Sequence, residues 1–256
     1  MTSELTIHTA GDAASPTVVV LHGLTDAGDN FPDLVHRWQQ DWRIVAPSMR
    51  GHGTSPRFRD DELGGTAELM LADVLAVLDD QPEPVVLLGH SMGGALALRA
   101  AVARPAAVRA LVLEDPPRAD GGASPAEHAA GFLAFVEGVS ARVAHGELDA
   151  LVTESAWSPP EARAWARCKP QVQRDYLRRG LHLGRESWAD LVSRLTVPTL
   201  LVLPDRDSVG PAPDEPGPTN PLLRTVVVAD AGHCVRRDQP DAYFEAVEGF
   251  LASALS

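Results

Sequence analysis

Gly89-His90-Ser91-Met92-Gly93 sits between an apolar run at 85–88 and an alanine-rich helical pattern that starts at Met92. The stretch fits G-x-S-x-G, in which a serine on a sharp strand-to-helix turn holds its hydroxyl above a sheet. Glycine on either side lets neighbouring backbone pack closely without a Cβ clash. Gly94, Ala95 and Ala97 keep the start of the helix slim. A serine so placed can attack an acyl carbon if a base takes its proton and donors receive the oxyanion. A serine in an ordinary tight turn needs neither, so its partners decide.

Both kinds of partner can be located. Leu21-His22-Gly23-Leu24 follows an apolar strand pattern at 17–21, which places the Leu24 N–H in the loop after an early strand. The second donor is the Met92 N–H at the helix N-terminus, where the helix dipole also favours negative charge. The base is expected from Ala231-Gly232-His233, between the last strand and the last helix. An ordinary imidazole pKa of about 6.5 suits that task near neutral pH. His233 reaches Ser91 only if a sheet brings these strand ends together. His22 and His52 lie in glycine turns and read as loop-holding residues. No pair of histidines has metal-ligand spacing, and neither a metal nor a cofactor is expected.

The elements that must position these residues alternate along the chain. Short β-branched runs at 5–8, 17–21, 42–46, 85–88, 110–114, 199–203 and 225–228 read as strands. Helical patterns lie between them at 30–39, 66–80, 92–103 and 241–254, the last with Asp241 at or near its N-cap. This alternation predicts a parallel sheet with crossover helices. The stretch 116–188 breaks it, with helical patterns at 125–142 and 161–179 and the aromatics Phe132, Phe135, Trp157, Trp165, Tyr176 and Trp188. A helical insertion between two strands reads as a lid over a site at the strands' C-terminal edge. Most of its aromatics are expected to form the lid's own small core, with Trp157 and Trp165 facing the pocket. The proline-rich stretch 204–221 reads as a long ordered loop.

Composition narrows the function classes. The 256 residues carry 22 basic and 35 acidic side chains, a formal net charge of -13. Such a surface disfavours nucleic acid, whose binding leaves a basic footprint. No run of about 18 apolar residues predicts a membrane span. The N-terminal stretch has no basic start and no apolar signal core, so secretion is not expected. Cys168 and Cys234 cannot build a disulfide framework, which fits a reduced cytoplasmic setting.

Together these features resemble the α/β-hydrolase superfamily along essentially the whole chain. Met49–Ser55, "MRGHGTS", resembles the family's turn after its fourth strand, often D-x-R-G-H-G-x-S, with Ser48 in place of the aspartate. The resemblance implies an α/β-hydrolase core of residues 1–115 and 189–256 with a helical lid at 116–188. It also implies the triad order nucleophile, acid, histidine. The family's acid usually follows its seventh strand in a G-x-x-D pattern. Asp207 in "LLVLPDRDSVG" matches that place, with Pro204 instead of the glycine. A minority of relatives take the acid from the end of the sixth strand, which here is Asp115; Asp205 and Glu114 stand beside these two. The implied activity is cleavage of a carboxylic ester or lactone with an apolar acyl or alcohol part. Amide, thioester and carbon–carbon hydrolysis use the same parts. A ligand-binding protein that retains the fold is the contrasting reading. Ser91 sets aside the subclasses whose nucleophile is an aspartate.

Overall fold

Apolar runs along five inner strands produce a sheet whose middle is covered on both faces. In the computed structural model, which describes residues 4–118, 125–211 and 220–256, the strands are β1 (Ile7–Ala10), β2 (Thr17–Leu21), β3 (Arg43–Pro47), β4 (Val85–His90), β5 (Val108–Glu114), β6 (Thr199–Pro204) and β7 (Leu223–Val228). Their order is β1-β3-β2-β4-β5-β6-β7. β1 pairs antiparallel with β3 and every other pairing is parallel.

The two-residue period of a strand sorts the core into two layers. Val19, Leu21, Leu87, Leu111 and Leu201 face α2 (Thr66–Asp79) and α3 (Met92–Ala103). Val18, Val20, Val86, Val112 and Val202 face α1 (Pro32–Trp38) and the C-terminal helix Pro240–Ala254. Parallel strands covered on both faces read as continuous apolar runs, as these do. The register sets Leu21 beside Gly89 and His90 beside Glu114, so the C-terminal ends of β2, β4 and β5 share one edge. That edge is where the candidate site must lie.

Between β5 and β6 the chain forms α4 (Pro125–Ala144), α5 (Leu148–Glu154), α6 (Pro159–Cys168), α7 (Arg174–Arg179) and α8 (Trp188–Ser193). The single helix expected over 161–179 is broken. Pro170 lies in a 3-10 turn, Lys169–Gln171, that separates α6 from α7. Proline removes a helical N–H and clashes with the preceding turn, so a helix cannot run through it unkinked. Val139, Leu151 and Ala166 form a small local core with Trp165 packed against it. Tyr176 and Trp188 instead join the main core, correcting the expectation that these aromatics mostly pack among themselves.

After β7 come α9 (Val235–Asp238) and α10 (Pro240–Ala254). Gln239, not Asp241, occupies the N-cap of α10, with Pro240 at its first position. Proline suits that place because its missing N–H would have no helical partner. Of the expected loop at 204–221, residues 212–219 lie outside the described residues. Among the described residues, no helix is long and apolar enough to cross a membrane.

Candidate active site

Ser91 joins β4 to α3 in a conformation that L-residues seldom adopt, φ 52° and ψ -124°. Such a backbone costs about 1–3 kcal/mol and persists only where its surroundings enforce it. Here both flanking glycines are required. A Cβ on Gly89 would run into the Gly93 carbonyl, and one on Gly93 into the Leu21 carbonyl. The Ser91 N–H donates to the Glu114 carbonyl at 2.9 Å, tying the turn to the end of β5.

The sheet brings Ser91 and His233 together. The Ser91 hydroxyl lies 2.9 Å from His233 Nε2. His233 Nδ1 donates at 2.6 Å to Asp115, not to Asp207. Asp115, the alternative acid, follows β5 with φ 39° and is fully buried. Its carboxylate also accepts the Ser208 hydroxyl at 2.6 Å, the Val209 N–H at 3.1 Å and the Gly210 N–H at 3.0 Å. A carboxylate has about four lone-pair sites, so this one is fully engaged. Burial alone would raise the Asp115 pKa, but hydrogen bonds from His233 and Ser208 outweigh it and hold the carboxyl below its ordinary value.

The expectation for Asp207 is corrected, and the backbone explains why. After β6 the chain continues along β7, with the Asp205 N–H bonded to the Val228 carbonyl and the Arg206 N–H to the Ala231 carbonyl. That course carries Asp207 past the sheet edge into solvent. A turn at Asp207, φ 53°, then brings Ser208 and Gly210 back onto Asp115. Asp205 accepts the Asp230 N–H at 2.9 Å, and Glu114 accepts the Arg236 N–H at 2.8 Å, so neither is the partner of His233.

The loop after β2 completes the edge. A Cβ on Gly23 would fall 2.9 Å from His90 Nδ1 and 3.4 Å from Ser91 Cβ, so this backbone lies directly against the serine. Among the described residues, neither the Leu24 nor the Met92 N–H has a backbone partner. His22 Nδ1 donates to the Gly23 carbonyl at 2.8 Å, and Nε2 accepts the Met49 N–H at 2.9 Å. Burial, and then the neighbouring His52, push the His22 pKa down to about 3, so it stays neutral and holds this loop.

A profile of the Alpha/beta hydrolase family matches residues 18–246. The chain belongs to the alpha/beta hydrolase family. It is similar to the sn-1-specific diacylglycerol lipase ABHD11 of Mus musculus, with 31% identity over 94% of this chain and 83% of the relative. It is also similar to the pimeloyl-[acyl-carrier protein] methyl ester esterase of Xanthomonas axonopodis pv. citri (strain 306), with 28% identity over 93% of this chain and 96% of that one. Among solved structures, a thermophilic esterase from Thermogutta terrifontis shares the fold with a TM-score of 0.73 and 21% identity, covering 98% of this chain and 94% of that chain.

In this alpha/beta hydrolase, Ser91 and His233 open into a cavity of about 560 Å³. Leu24, Phe132, Phe135, Trp157 and Trp165 supply apolar walls, so both tryptophans singled out from the sequence line it. Trp157 is held by its Nε1–H, which donates to Asp238 at 2.7 Å, while the other Asp238 oxygen accepts the Gly232 N–H at 2.8 Å. One carboxylate therefore couples an aromatic wall to the loop that carries His233. His90 faces the cavity and bonds through Nε2 to the His233 carbonyl at 3.1 Å.

Sequence reasoning missed the ion cluster behind this wall. Asp26 accepts Lys169 Nζ at 2.6 Å and Arg237 Nη2 at 2.9 Å. Glu161 accepts Arg236 Nη1 at 2.6 Å and Arg237 Nε at 3.1 Å. All five side chains are buried. Burial would raise the Asp26 pKa, but Arg237 and Lys169 hold it well below the usual carboxylate range. Removing one member would strand a buried charge, at about 3–5 kcal/mol. The cluster ties α6 and the 3-10 turn to the loop after β2 and to α9, directly behind His233. One available signal was composition, since Lys169 is the only lysine in the chain.

Proposed function

We propose that this protein is a serine hydrolase that cleaves a carboxylic ester or lactone through an acyl-enzyme on Ser91. The observation that carries the reading is the hydrogen-bonded chain from the Ser91 hydroxyl through His233 to Asp115. In the first step the Ser91 oxygen bonds to the carbonyl carbon while His233 Nε2 takes the hydroxyl proton. Asp115 accepts the Nδ1–H, fixes the tautomer and stabilises the imidazolium. The Leu24 and Met92 N–H groups receive the oxyanion; a donor in this role is worth about 2.7–4 kcal/mol.

As the carbon–oxygen bond breaks, the leaving alcohol takes the proton from Nε2. Water then gives a proton to His233 and attacks the acyl carbon; as the bond from that carbon to the Ser91 oxygen breaks, Nε2 returns the proton to Ser91 and the acid leaves. The helices within 116–188 act as a lid on a core of residues 1–115 and 189–256. Relatives named as a diacylglycerol lipase and a methyl ester esterase support an ester bond. The apolar walls support a substrate with an apolar acyl or alcohol part.

A fluorophosphonate probe tests the reading. The expected result is one adduct, located on Ser91 by peptide mass spectrometry and absent in Ser91→Ala, with turnover of at least one member of an ester and lactone panel. A folded protein that neither labels at Ser91 nor turns over any member would overturn it and favour a ligand-binding role. Labelling with turnover only of amides, thioesters or carbon–carbon substrates would keep the nucleophile and replace the bond.

A further inference from the structure

The cavity at Ser91 shares its aromatic wall with another. A second cavity of about 480 Å³ lies on the other side, and Phe135, Trp157 and Trp165 line both. Two of these rings are fixed. Trp157 is held by Asp238, and Trp165 lies edge-to-face against Trp157 at 5.6 Å with Lys169 Nζ 4.9 Å from its ring. Phe135 is 41% exposed and meets Trp165 at 5.9 Å, so it is the loose member between the two spaces.

The roof over both spaces is one face of α4. Gly131 lines the first cavity, Phe135 both, and Gly138 the second, at the three- and four-residue spacing that puts side chains on one helix face. Interior helix glycine costs about 0.5–1 kcal/mol relative to alanine. Neither packing nor backbone conformation requires it here. A Cβ at either position would meet no atom within 4 Å, and neither residue has positive φ. Of the three α4 residues along the path from one cavity to the other, only Phe135 carries a side chain. Over seven residues of helix that path runs about 10 Å.

We infer that an unbranched alkyl chain attached to the scissile carbonyl group runs from Ser91 past Phe135 into the second cavity, with Gly138 setting how long a chain is accepted. This deepens the serine-esterase reading and rests on it. Val139, Leu151 and Ala134 give the second cavity an apolar part that suits methylene groups, each worth about 0.8 kcal/mol when buried, while Ser155 and the paired Arg142 and Glu154 complete its wall.

The test is the ratio of kcat/KM for p-nitrophenyl decanoate over p-nitrophenyl acetate, in wild type, Gly138→Leu and Gly249→Leu. Gly249 lies in α10, far along the chain, and a Cβ there also meets nothing within 4 Å, so it controls for the same change in a helix. The ratio is expected to fall on the order of a hundredfold in Gly138→Leu and to keep its wild-type value in Gly249→Leu. Decyl acetate against ethyl acetate repeats the comparison with the chain on the alcohol side; a fall there instead assigns the second cavity to the alcohol. If wild type hydrolyses the esters and Gly138→Leu leaves both ratios unchanged, the chain-length inference is overturned while the esterase reading stands. If wild type hydrolyses none of them, the esterase reading fails and takes the inference with it.

Discussion

The ends of β5 and β6 each present an aspartate in left-handed backbone, Asp115 at φ 39° and Asp207 at φ 53°. Both stand just beyond parallel strands at the same sheet edge. Asp115 is fully buried and meets His233 at 2.6 Å, whereas Asp207 is exposed. The difference lies in the course of the chain beyond each strand. After β5 it turns inward beneath the histidine loop, while after β6 it first extends along β7. The β6 loop still serves the site, since Ser208, Val209 and Gly210 give Asp115 three hydrogen bonds. The region expected to supply the acid instead supplies donors to Asp115.

Substitutions at the two strand ends should therefore differ in a graded way. Asp115→Asn is expected to lower kcat/KM on a model ester by about 10⁴-fold, because the amide favours the wrong histidine tautomer. Gly210→Ala comes next. Its Cβ would fall 2.8 Å from the Asp115 carboxylate, and displacing that group is expected to cost about 10²-fold, with near-normal circular dichroism.

Acid should also weaken the buried carboxylate's contribution. The Asp115 pKa is lowered in the folded protein, so its stabilising contribution is present above the unfolded value and lost as pH falls through the folded one. Thermal melts should then show the margin of wild type over Asp115→Asn shrinking below about pH 4. Ser208→Ala removes one donor and leaves the others, for an expected loss of about 1 kcal/mol, or roughly fivefold in kcat/KM. Asp207→Asn should stay within about twofold of wild type, as an exposed carboxylate outside the site.

Much of this edge is legible in the sequence. The strand pattern at 17–21 coincides with β2, and the helical pattern from Met92 coincides with α3, because buried parallel strands and small-residue helices leave strong local signatures. The serine turn and the histidine loop follow from those elements. The choice between Asp115 and Asp207 does not, since both sit at strand ends and only the path of the adjoining loop separates them. The ion cluster is less visible still. Asp26, Glu161, Lys169, Arg236 and Arg237 come from four separate segments and share no period. The break at Pro170 could be read from proline chemistry alone, yet the helical pattern on either side masks it.

The most direct measurement is the single-turnover rate of Ser91 acylation by a chromogenic ester, taken side by side in wild type, Asp115→Asn and Asp207→Asn. The arrangement at the sheet edge predicts a loss of several orders of magnitude in Asp115→Asn and a near-wild-type rate in Asp207→Asn. The reverse order, with Asp207→Asn silent and Asp115→Asn fast, would contradict it.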